Sequence, residues 1–356
     1  MVYYASFIPG FRDIIETVIR ERLAGAAIHK LLDGAVIFET DISYDKLNFF
    51  CFNNIFALID ILDEKDPGQK DGSAVIEFHI KKILSARHGL NEQPGGIKYA
   101  PEIIGQNNKK IQSFRLVCSS ENKPVPINEK TRKQMENFIA GHSSLGPDRS
   151  DPDTEFWFLY RNEGFCCFLK RLTNNRQGEK SLHPGELSPQ LAWLLCRIAG
   201  LKHGETAADP FCGYGSIPQA ACRHFPAGKF YASDIDPKPL KTARSKQGLK
   251  TGRCEIMQAD FRSLKLFPQG VDAIITDPPW GLYKDTGIPL QELYDEIIEC
   301  FSHLLKKCGR AVILTAAVRE MDIAVKKTGA FELSQKLPVL VSGKKAVIYV
   351  LNAVKC

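Results

Sequence analysis

The chain has 356 residues, enough for two or three domains of ordinary size. Its 47 Lys and Arg residues exceed its 41 Asp and Glu residues, and the net charge of +6 is compatible with a nucleic-acid partner without requiring one. Eleven cysteines without a Cys-x-x-Cys pair, no export signal and no apolar run of membrane-spanning length argue against secreted and membrane proteins, so we expect a cytoplasmic protein with reduced thiols.

Residues 1–64 are predicted to form a small ferredoxin-like α+β module. Apolar residues that recur every three or four positions predict a helix at Phe11–Leu23, and a second helix is expected at Asp45–Asn53. The predicted strands are Tyr3–Phe7, Ala26–His29, Gly34–Phe38 and Ile55–Leu62. Strands and helices in this order are typical of ferredoxin-like modules.

Residues 65–171 are predicted to form a second α+β module, which the polar segment Lys65–Gly72 joins to the first. Its predicted elements are the helices Ser73–His88 and Thr131–Gly141 and the strands Ile111–Val117, Phe156–Tyr160 and Gly164–Leu169. Within it, Lys98–Lys133 carries eight basic and three acidic residues, an excess of +5. A phosphate-binding face would have this charge. An ordinary solvated surface would have it too, and such surfaces are commoner.

After a polar linker at 172–180, residues 181–356 are predicted to form an α/β domain. Strands and helices alternate from Thr206 to Thr328, a pattern that predicts a Rossmann-like sheet with its ligands at the carboxyl ends of the strands. Two further strands, Phe331–Val341 and Lys345–Leu351, are expected to close the domain as a hairpin.

The stretch Thr206–Gly215 is the first candidate site in this domain. A buried strand ends at Asp209, and a glycine loop then leads into a helix. Gly213 and Gly215 allow the backbone to approach a ligand closely, and the helix N-terminus favours an anionic group. Asp209 can accept a hydrogen bond from a cationic or N–H-bearing ligand. A purely structural turn would have the same sequence.

The second candidate site is the tetrapeptide Asp277–Trp280, Asp-Pro-Pro-Trp, which follows the predicted strand Val271–Thr276. Two consecutive prolines stiffen the backbone and remove two N–H donors, so the carbonyls nearby are available as acceptors. A carboxylate and a large flat ring lie beside them. Such a set suits an exocyclic amine on a planar base, and a rigid turn around a packed Trp is the alternative.

With these two motifs the chain resembles the class I S-adenosylmethionine-dependent amino-methyltransferases, and more narrowly the THUMP-domain RNA guanine-N2-methyltransferases. The family's first motif, Asp-Pro-Phe-Cys-Gly-x-Gly, matches Asp209–Gly215, and its fourth, Asp/Asn-Pro-Pro-aromatic, matches Asp277–Trp280. The resemblance implies a seven-stranded methyltransferase sheet in residues 181–356. It also implies a THUMP RNA-binding domain in residues 65–171, preceded by the ferredoxin-like module.

The resemblance implies S-adenosyl-L-methionine as the cofactor and no metal. Asp234 lies at a predicted strand tip about 20 residues past the glycine loop, where an acid binds ribose hydroxyls. Asp236 is the second choice there, because it also fits a helix cap. Asp260 is expected to accept from the adenine amine. The other predicted cofactor-binding residues are Asp209, Phe211, Cys212, Gly213, Gly215, Ile235, Phe261, His183 and Gly185.

The predicted catalytic residues are Asp277, Pro278 and Trp280. The Asp277 carboxylate and the Pro278 carbonyl are expected to accept the two N–H bonds of guanine N2, while Trp280 stacks on the base. The predicted substrate-binding residues are Pro279, Lys109, Lys110, Arg115, Lys170 and Arg171. We expect a tRNA guanine-N2-methyltransferase. The alternatives are a ribosomal RNA guanine-N2 enzyme, an RNA adenine-N6 enzyme and a non-catalytic RNA-binding factor.

Three positions depart from the family pattern. Tyr214 and Ser216 stand where members usually carry smaller residues or Thr, so Tyr214 either crowds the cofactor or points away from it. Trp280 stands where guanine-N2 enzymes more often have Tyr or Phe, which leaves adenine open as the target base.

Overall fold

The computed structural model describes residues 1–47, 49–63, 71–85, 100–106, 111–173, 182–246, 249, 252–263, 270–282 and 287–354. The chain forms two compact units. The first comprises Met1–Phe7, Arg12–Asn48 and Phe52–Asn175, and the second comprises Ile8–Phe11, Phe49–Cys51 and Arg176–Cys356.

One mixed sheet runs through the whole first unit, in the strand order β2-β3-β1-β4-β9-β8-β5-β6, with β7 paired to β5. Its elements are β1 (Val2–Ser6), α1 (Arg12–Arg22), β2 (Ala27–Leu32), β3 (Ala35–Glu39), β4 (Asn54–Asp63), α2 (Gly72–Ser85), α3 (Glu102–Gly105), β5 (Ser113–Ser120), β6 (Lys123–Pro124), α4 (Glu129–Ser143), β7 (Gly146–Pro147), β8 (Thr154–Arg161) and β9 (Phe165–Arg171). Because β4 pairs with β9, the two predicted N-terminal modules share one sheet. The module boundary at residue 64 stays a prediction.

The second helix predicted at Asp45–Asn53 is wrong. Among residues 41–47 and 49–53 the structure has a single helical turn, the 3₁₀ turn Tyr44–Lys46, before β4 begins. Asn and aromatic residues, which are weak helix formers, dominate this segment. Phe52 is buried there against Phe38, with the ring centroids 6.2 Å apart. The side chains therefore pack into the core without a helix.

The second unit contains the predicted seven-stranded sheet, in the order β12-β11-β10-β13-β14-β16-β15. Its elements are α5 (Pro189–Ala199), β10 (Thr206–Asp209), α6 (Ser216–His224), β11 (Lys229–Asp234), α7 (Pro237–Ser245), β12 (Cys254–Gln258), β13 (Val271–Thr276), α8 (Leu290–Leu304), β14 (Leu305–Thr315), α9 (Val318–Thr328), β15 (Phe331–Val341) and β16 (Lys344–Ala353). Strands β10 to β14 are parallel, whereas β16 and β15 are antiparallel to their neighbours.

The chain order places a ligand crevice at β10. From β10 the chain continues outward through β11 to β12, and it then returns to the other side of β10 to form β13. The connections leave the sheet in opposite directions at this point, and such a switch opens a crevice at the carboxyl ends of the strands. Strand β10 ends at Asp209 and β13 at Thr276, so both predicted motifs lie at this crevice.

Candidate active site at the carboxyl ends of β10 and β13

Two hydrogen bonds hold the glycine loop after β10 against β11. The Cys212 N–H donates to the Ser233 carbonyl at 2.9 Å, and the Gly213 N–H donates to Asp234 Oδ2 at 2.8 Å. Gly213 has a φ of +48°, and a Cβ there would meet no atom within 4 Å. The loop is thus fixed while the space beside Gly213 stays open. The Cys212 side chain is buried, and burial raises the pKa of its thiol.

Gly215 serves the packing of the fold. It precedes α6 with a φ of +80°, and a Cβ there would lie 3.0 Å from the Cβ of Ala243 in α7. A side chain at this position would therefore push α6 away from α7. Its predicted role, close approach of the backbone to a ligand, fits Gly213 better.

Asp209 braces the two motif strands against each other. Its Oδ1 accepts from the Thr276 hydroxyl at 2.7 Å and from the Phe211 N–H at 3.2 Å. Burial raises the pKa of this carboxyl to about 8, against the lowering effect of those hydrogen bonds. At 1% exposure the side chain is part of the interior, so it supports the loop from behind and is not presented to a ligand.

The Asp234 carboxylate lies at the tip of β11 in a fixed orientation. Oδ2 accepts from Gly213, and Oδ1 accepts from the Asp236 N–H at 2.9 Å. Each oxygen keeps a second lone pair, and the residue is half-buried. Ile235 beside it is 65% exposed, which is unusual for a large apolar side chain and leaves a bare surface at the crevice. Asp236 caps α7 by accepting from the Lys238 N–H at 3.0 Å.

The structure places Asp260 and Phe261 differently from the prediction. Arg262 already donates two hydrogen bonds to the Asp260 carboxylate, one from its backbone N–H and one from its guanidinium, each at 2.9 Å. A ligand amine would have to share or displace this pair. Phe261 is 5% exposed and packs on Phe211, with the centroids 5.1 Å apart, so it supports the loop and offers no free ring face.

The segment before α5 contacts the glycine loop through a ring stack. His183 lies parallel to Tyr214, with the ring centroids 4.4 Å apart and an angle of 10° between the planes. Tyr214 is therefore held by His183. Gly185 is exposed, has a φ of +80° and would meet nothing within 4 Å if it carried a Cβ.

Sequence reasoning missed Glu186. Its side chain is only 7% exposed, and Oε1 lies 2.7 Å from the Lys246 ammonium and 3.4 Å from the Ser216 hydroxyl. Its Oε2 accepts from the His183 N–H at 3.1 Å. This carboxylate thus ties the segment before α5 to the start of α6. Only the turn-forming sequence around His-Pro-Gly-Glu could have pointed to it.

Asp277 lies just beyond β13 and is held by the fourth residue of its own motif. The Trp280 indole N–H donates to Asp277 Oδ1 at 2.8 Å. Burial raises the pKa of the Asp277 carboxyl to about 7, while the Trp280 hydrogen bond lowers it. The sequence analysis assigned Trp280 a stacking role, and the structure adds this hydrogen bond to Asp277. Its ring is half-buried, so one part of it remains accessible.

The two prolines differ in their surroundings. Pro278 is buried and Pro279 is exposed. The Pro279 carbonyl accepts from the Tyr294 hydroxyl at 3.1 Å. Within the described part of the chain, no group donates to the Pro278 carbonyl. This carbonyl and one oxygen of the Asp277 carboxylate therefore have no donor among the described residues.

Of the predicted RNA-binding residues of the first unit, the structure describes Arg115, Lys170 and Arg171. Lys109 and Lys110 lie outside the described residues. Lys170 is 4% exposed, its ammonium donates to the carbonyls of Ile103 and Gln106, and burial lowers its pKa to about 8. Lys170 is thus a structural residue, a correction to its predicted role in phosphate binding.

Arg115 and Arg171 share one buried acid. Both guanidinium groups pair with Glu155, which is 1% exposed, and Arg171 also donates to Asn54 at 2.6 Å. The Trp157 indole N–H donates to the same carboxylate at 3.0 Å. Arg171 is therefore committed to the fold, whereas Arg115, with 36% of its side chain exposed, keeps a partly open face.

Two features are absent from the described residues. None of the helices there is both long and apolar enough to span a bilayer. No cluster of three or more His, Cys, Asp or Glu side chains there is arranged to hold a metal ion.

Comparisons with known proteins agree with this architecture. Residues 176–344 match the UPF0020 family model, described as an RMKL-like methyltransferase domain. The crystal structure of TrmN from Thermus thermophilus superposes with a TM-score of 0.75 at 21% identity, covering 99% of both chains. The predicted fold class, α/β with a Rossmann-like methyltransferase sheet, is thereby confirmed.

Two curated relatives carry related names. The tRNA (guanine(6)-N2)-methyltransferase of Thermus thermophilus is 36% identical over 144 residues, which are 40% of this chain and 43% of that protein. The mouse tRNA (guanine(6)-N(2))-methyltransferase THUMP3 is 24% identical over 323 residues, 82% of this chain and 63% of that protein. The chain therefore spans less than two thirds of either relative. The resemblance to THUMP-containing RNA guanine-N2-methyltransferases is confirmed.

Proposed function

We propose that this chain, whose residues 176–344 form a methyltransferase domain of the UPF0020 family, transfers a methyl group from S-adenosylmethionine to N2 of a guanosine in tRNA. One observation carries the proposal. The Asp277 carboxylate, bonded on one oxygen to an indole whose ring is partly accessible, stands next in the chain to the Pro278 carbonyl at the carboxyl end of β13. An exocyclic amine has two N–H bonds, and this arrangement offers one acceptor for each.

The residues at β10 and β11 fit the cofactor. The Asp234 carboxylate, which two backbone N–H groups orient, would accept from the ribose hydroxyls. The exposed side chain of Ile235 would lie against the adenine, and the space beside Gly213 would admit the methionine part of the cofactor. When bound, S-adenosylmethionine supplies an electrophilic methyl group on a sulfonium.

The chain's own residues act on the amine. The nitrogen of guanine N2 is a weak nucleophile because its lone pair is delocalised into the ring. Asp277 and Pro278 would accept its N–H bonds and let the nitrogen become pyramidal, and these contacts strengthen as the reaction proceeds. Trp280 holds Oδ1 of Asp277, so Oδ2 would face the amine and take the proton that leaves it. A pKa of about 7 suits both accepting and releasing that proton.

We propose the first unit as the RNA-binding part, a THUMP domain with its N-terminal module, acting in the cytoplasm. The exposed lysines of the basic segment, Lys123, Lys130 and Lys133, are better candidates for phosphate contacts than the buried Lys170. The relation to mouse THUMP3 over 82% of the chain supports this assignment.

The test is methylation of unmodified tRNA transcripts by the full chain, followed by mass spectrometry of the nucleosides. N2-methylguanosine is expected. Asp277→Ala should lower the single-turnover rate about 10²-fold or more, by analogy with the removal of one preorganised polar group. Asp277→Asn should be milder, since its amide oxygen still accepts. Methyladenosine as the product would overturn guanine as the target, and cofactor binding without any methylation would favour a non-catalytic factor.

A further inference from the structure

A buried chain of hydrogen bonds connects the start of α9 with the Asp-Pro-Pro-Trp motif. The Ala317 N–H donates to Thr315 Oγ1 at 2.9 Å, Thr315 Oγ1 lies 2.5 Å from the Tyr294 hydroxyl, and that hydroxyl lies 3.1 Å from the Pro279 carbonyl. Tyr294 and Thr315 both have 0% exposure, so the bonds at Thr315 are shielded from water, while the bond to the Pro279 carbonyl is partly buried. Neither side chain belongs to the sequence motifs.

The direction of every bond in this chain follows from counting hydrogens. The Ala317 N–H can only donate, so Thr315 Oγ1 accepts from it. The Pro279 carbonyl can only accept, so Tyr294 must donate its one hydrogen there. The bond between the two hydroxyls therefore takes its hydrogen from Thr315. Burial raises the pKa of Tyr294, so its hydroxyl keeps the hydrogen that the arrangement needs.

The chain of bonds ends at the Pro279 carbonyl, whose direction is set by a torsion that the two prolines leave unrestricted. The proline rings fix φ of Pro278 and Pro279. A residue before a proline is confined to extended ψ values, which restricts Asp277 and Pro278. Pro279 precedes Trp280 and escapes that restriction. Its ψ decides where its carbonyl points and where Trp280 begins, and the Tyr294 hydrogen bond holds that carbonyl.

We propose that Tyr294, supported by Thr315, is a positioning residue for methyl transfer. By fixing ψ of Pro279 it places the Trp280 indole, and the indole N–H in turn orients the Asp277 carboxylate. The proposal rests on the proposed function, because Asp277 is the group whose orientation is said to matter. Tyr294 itself touches neither the base nor the cofactor in this scheme.

The kinetic test compares two Tyr→Phe variants in the same domain. Tyr294→Phe should lower the single-turnover rate at pH 7 about 2- to 5-fold, the range for one ordinary hydrogen bond that acts through Trp280, with the apparent KM for tRNA within about 2-fold. Tyr349→Phe is the matched control. Tyr349 is 1% exposed, and its hydroxyl bonds to Val318 and Asp322, outside the motif. The single-turnover rate of Tyr349→Phe should not change, even if this variant loses as much folding stability as Tyr294→Phe does.

Two further variants separate positioning from general damage. Thr315→Val should lower the rate less than Tyr294→Phe does, because Tyr294 keeps its hydrogen for the Pro279 carbonyl, whereas Thr315→Ser, which keeps the hydroxyl, should leave the rate unchanged. Because Tyr294 acts through Trp280, adding Tyr294→Phe to Trp280→Phe should lower the rate little further. The proposal would be overturned if the rate losses of Tyr294→Phe and Trp280→Phe multiplied in the double variant. Equal rate losses in Tyr294→Phe and Tyr349→Phe would overturn it as well.

A readout without catalysis keeps this inference separate from the proposed function. In ¹⁵N-labelled protein, the indole N–H signal of Trp280 is identified by its loss in Trp280→Phe. Tyr294→Phe should speed hydrogen exchange of that signal several-fold and leave those of Trp157 and Trp193 unchanged. Unchanged exchange at Trp280 would refute the positioning role even in an active enzyme. Faster exchange in a protein that methylates no RNA would leave the positioning intact and remove the proposed function.

Discussion

Replacing Trp280 with Phe should move the pH dependence of methylation to higher pH. In the structure the indole N–H donates to Asp277 Oδ1 at 2.8 Å. Such a donor stabilises the charged carboxylate and lowers its pKa, whereas burial destabilises the charge and raises the pKa. Burial has the larger effect, and the pKa of Asp277 is raised to about 7. Phe keeps a flat ring for stacking but has no donor. Loss of the donor therefore raises the pKa of Asp277 further, and less of the carboxylate is ionised at neutral pH.

The expected size of the shift is about one pH unit. A hydrogen bond to a charged group contributes roughly 1.5–3 kcal/mol, and one pKa unit corresponds to about 1.4 kcal/mol. We take the lower end of this range for the bond from Trp280. If the pKa moves from about 7 to about 8, the ionised fraction at pH 7 falls from about one half to about one tenth. The rate at pH 7 should fall roughly fivefold and largely recover at pH 9.

The assay is kcat/KM for tRNA between pH 5.5 and 9, because this ratio reports ionisations of the enzyme before RNA binds. Trp157→Phe is the matched control. It also removes an indole N–H from a buried carboxylate, that of Glu155 in the first unit, and it should leave the midpoint unchanged. A midpoint that is unchanged or lower in Trp280→Phe would refute the electrostatic link between Trp280 and Asp277.

Two more predictions concern charged residues whose roles the structure separates. Asp234→Ala should weaken cofactor binding by roughly 1.5–3 kcal/mol. Asp236→Ala, which removes the α7 cap, should cost about 1 kcal/mol of folding stability with little change in cofactor affinity. Calorimetry that shows equal losses of cofactor affinity in the two variants would contradict this. Burial lowers the pKa of Lys170 to about 8 in the folded chain, so the unfolded chain binds more protons above that pH. The free energy of unfolding should therefore rise from about pH 8 toward 10.5 and lose this rise in Lys170→Met. A shallower salt dependence of tRNA affinity in Lys170→Met would instead indicate a phosphate contact.

Local patterns were sufficient to predict the architecture of the second unit. Most of the strands β10 to β13 are short apolar runs followed by an acid, a glycine loop or a proline pair, and the helices α6 and α7 between β10, β11 and β12 favour a parallel order. The chain order then decides where the crevice opens, so Asp209 and Asp277 were correctly expected at one edge of the sheet. Periodicity and turn residues carry this information within short windows of sequence.

The errors concern residues whose role depends on distant partners. In β9 the sequence Phe-Cys-Cys-Phe-Leu-Lys-Arg ends in two positive charges that resemble an exposed strand end. The Lys170 ammonium, however, reaches carbonyls more than 60 positions away, and Arg171 reaches an acid 16 positions away. Nothing in the local pattern distinguishes a lysine that faces solvent from one that caps the carbonyls of α3. The same limit hid Glu186, whose ammonium partner lies 60 positions along the chain.

The acids at the strand ends show what distinguishes a reactive carboxylate from a structural one. Asp209 and Asp234 each accept two hydrogen bonds from groups of their own chain, and these bonds join one loop or strand to the next. Asp277 accepts one among the described residues, from Trp280, and that bond stays within its own motif. Burial raises the pKa of this carboxyl to about 7, and without a second donor among the described residues one of its oxygens can accept a substrate N–H. Because Tyr294 holds the motif from behind through Pro279, the orientation of that oxygen can be fixed without a further donor on the carboxylate itself.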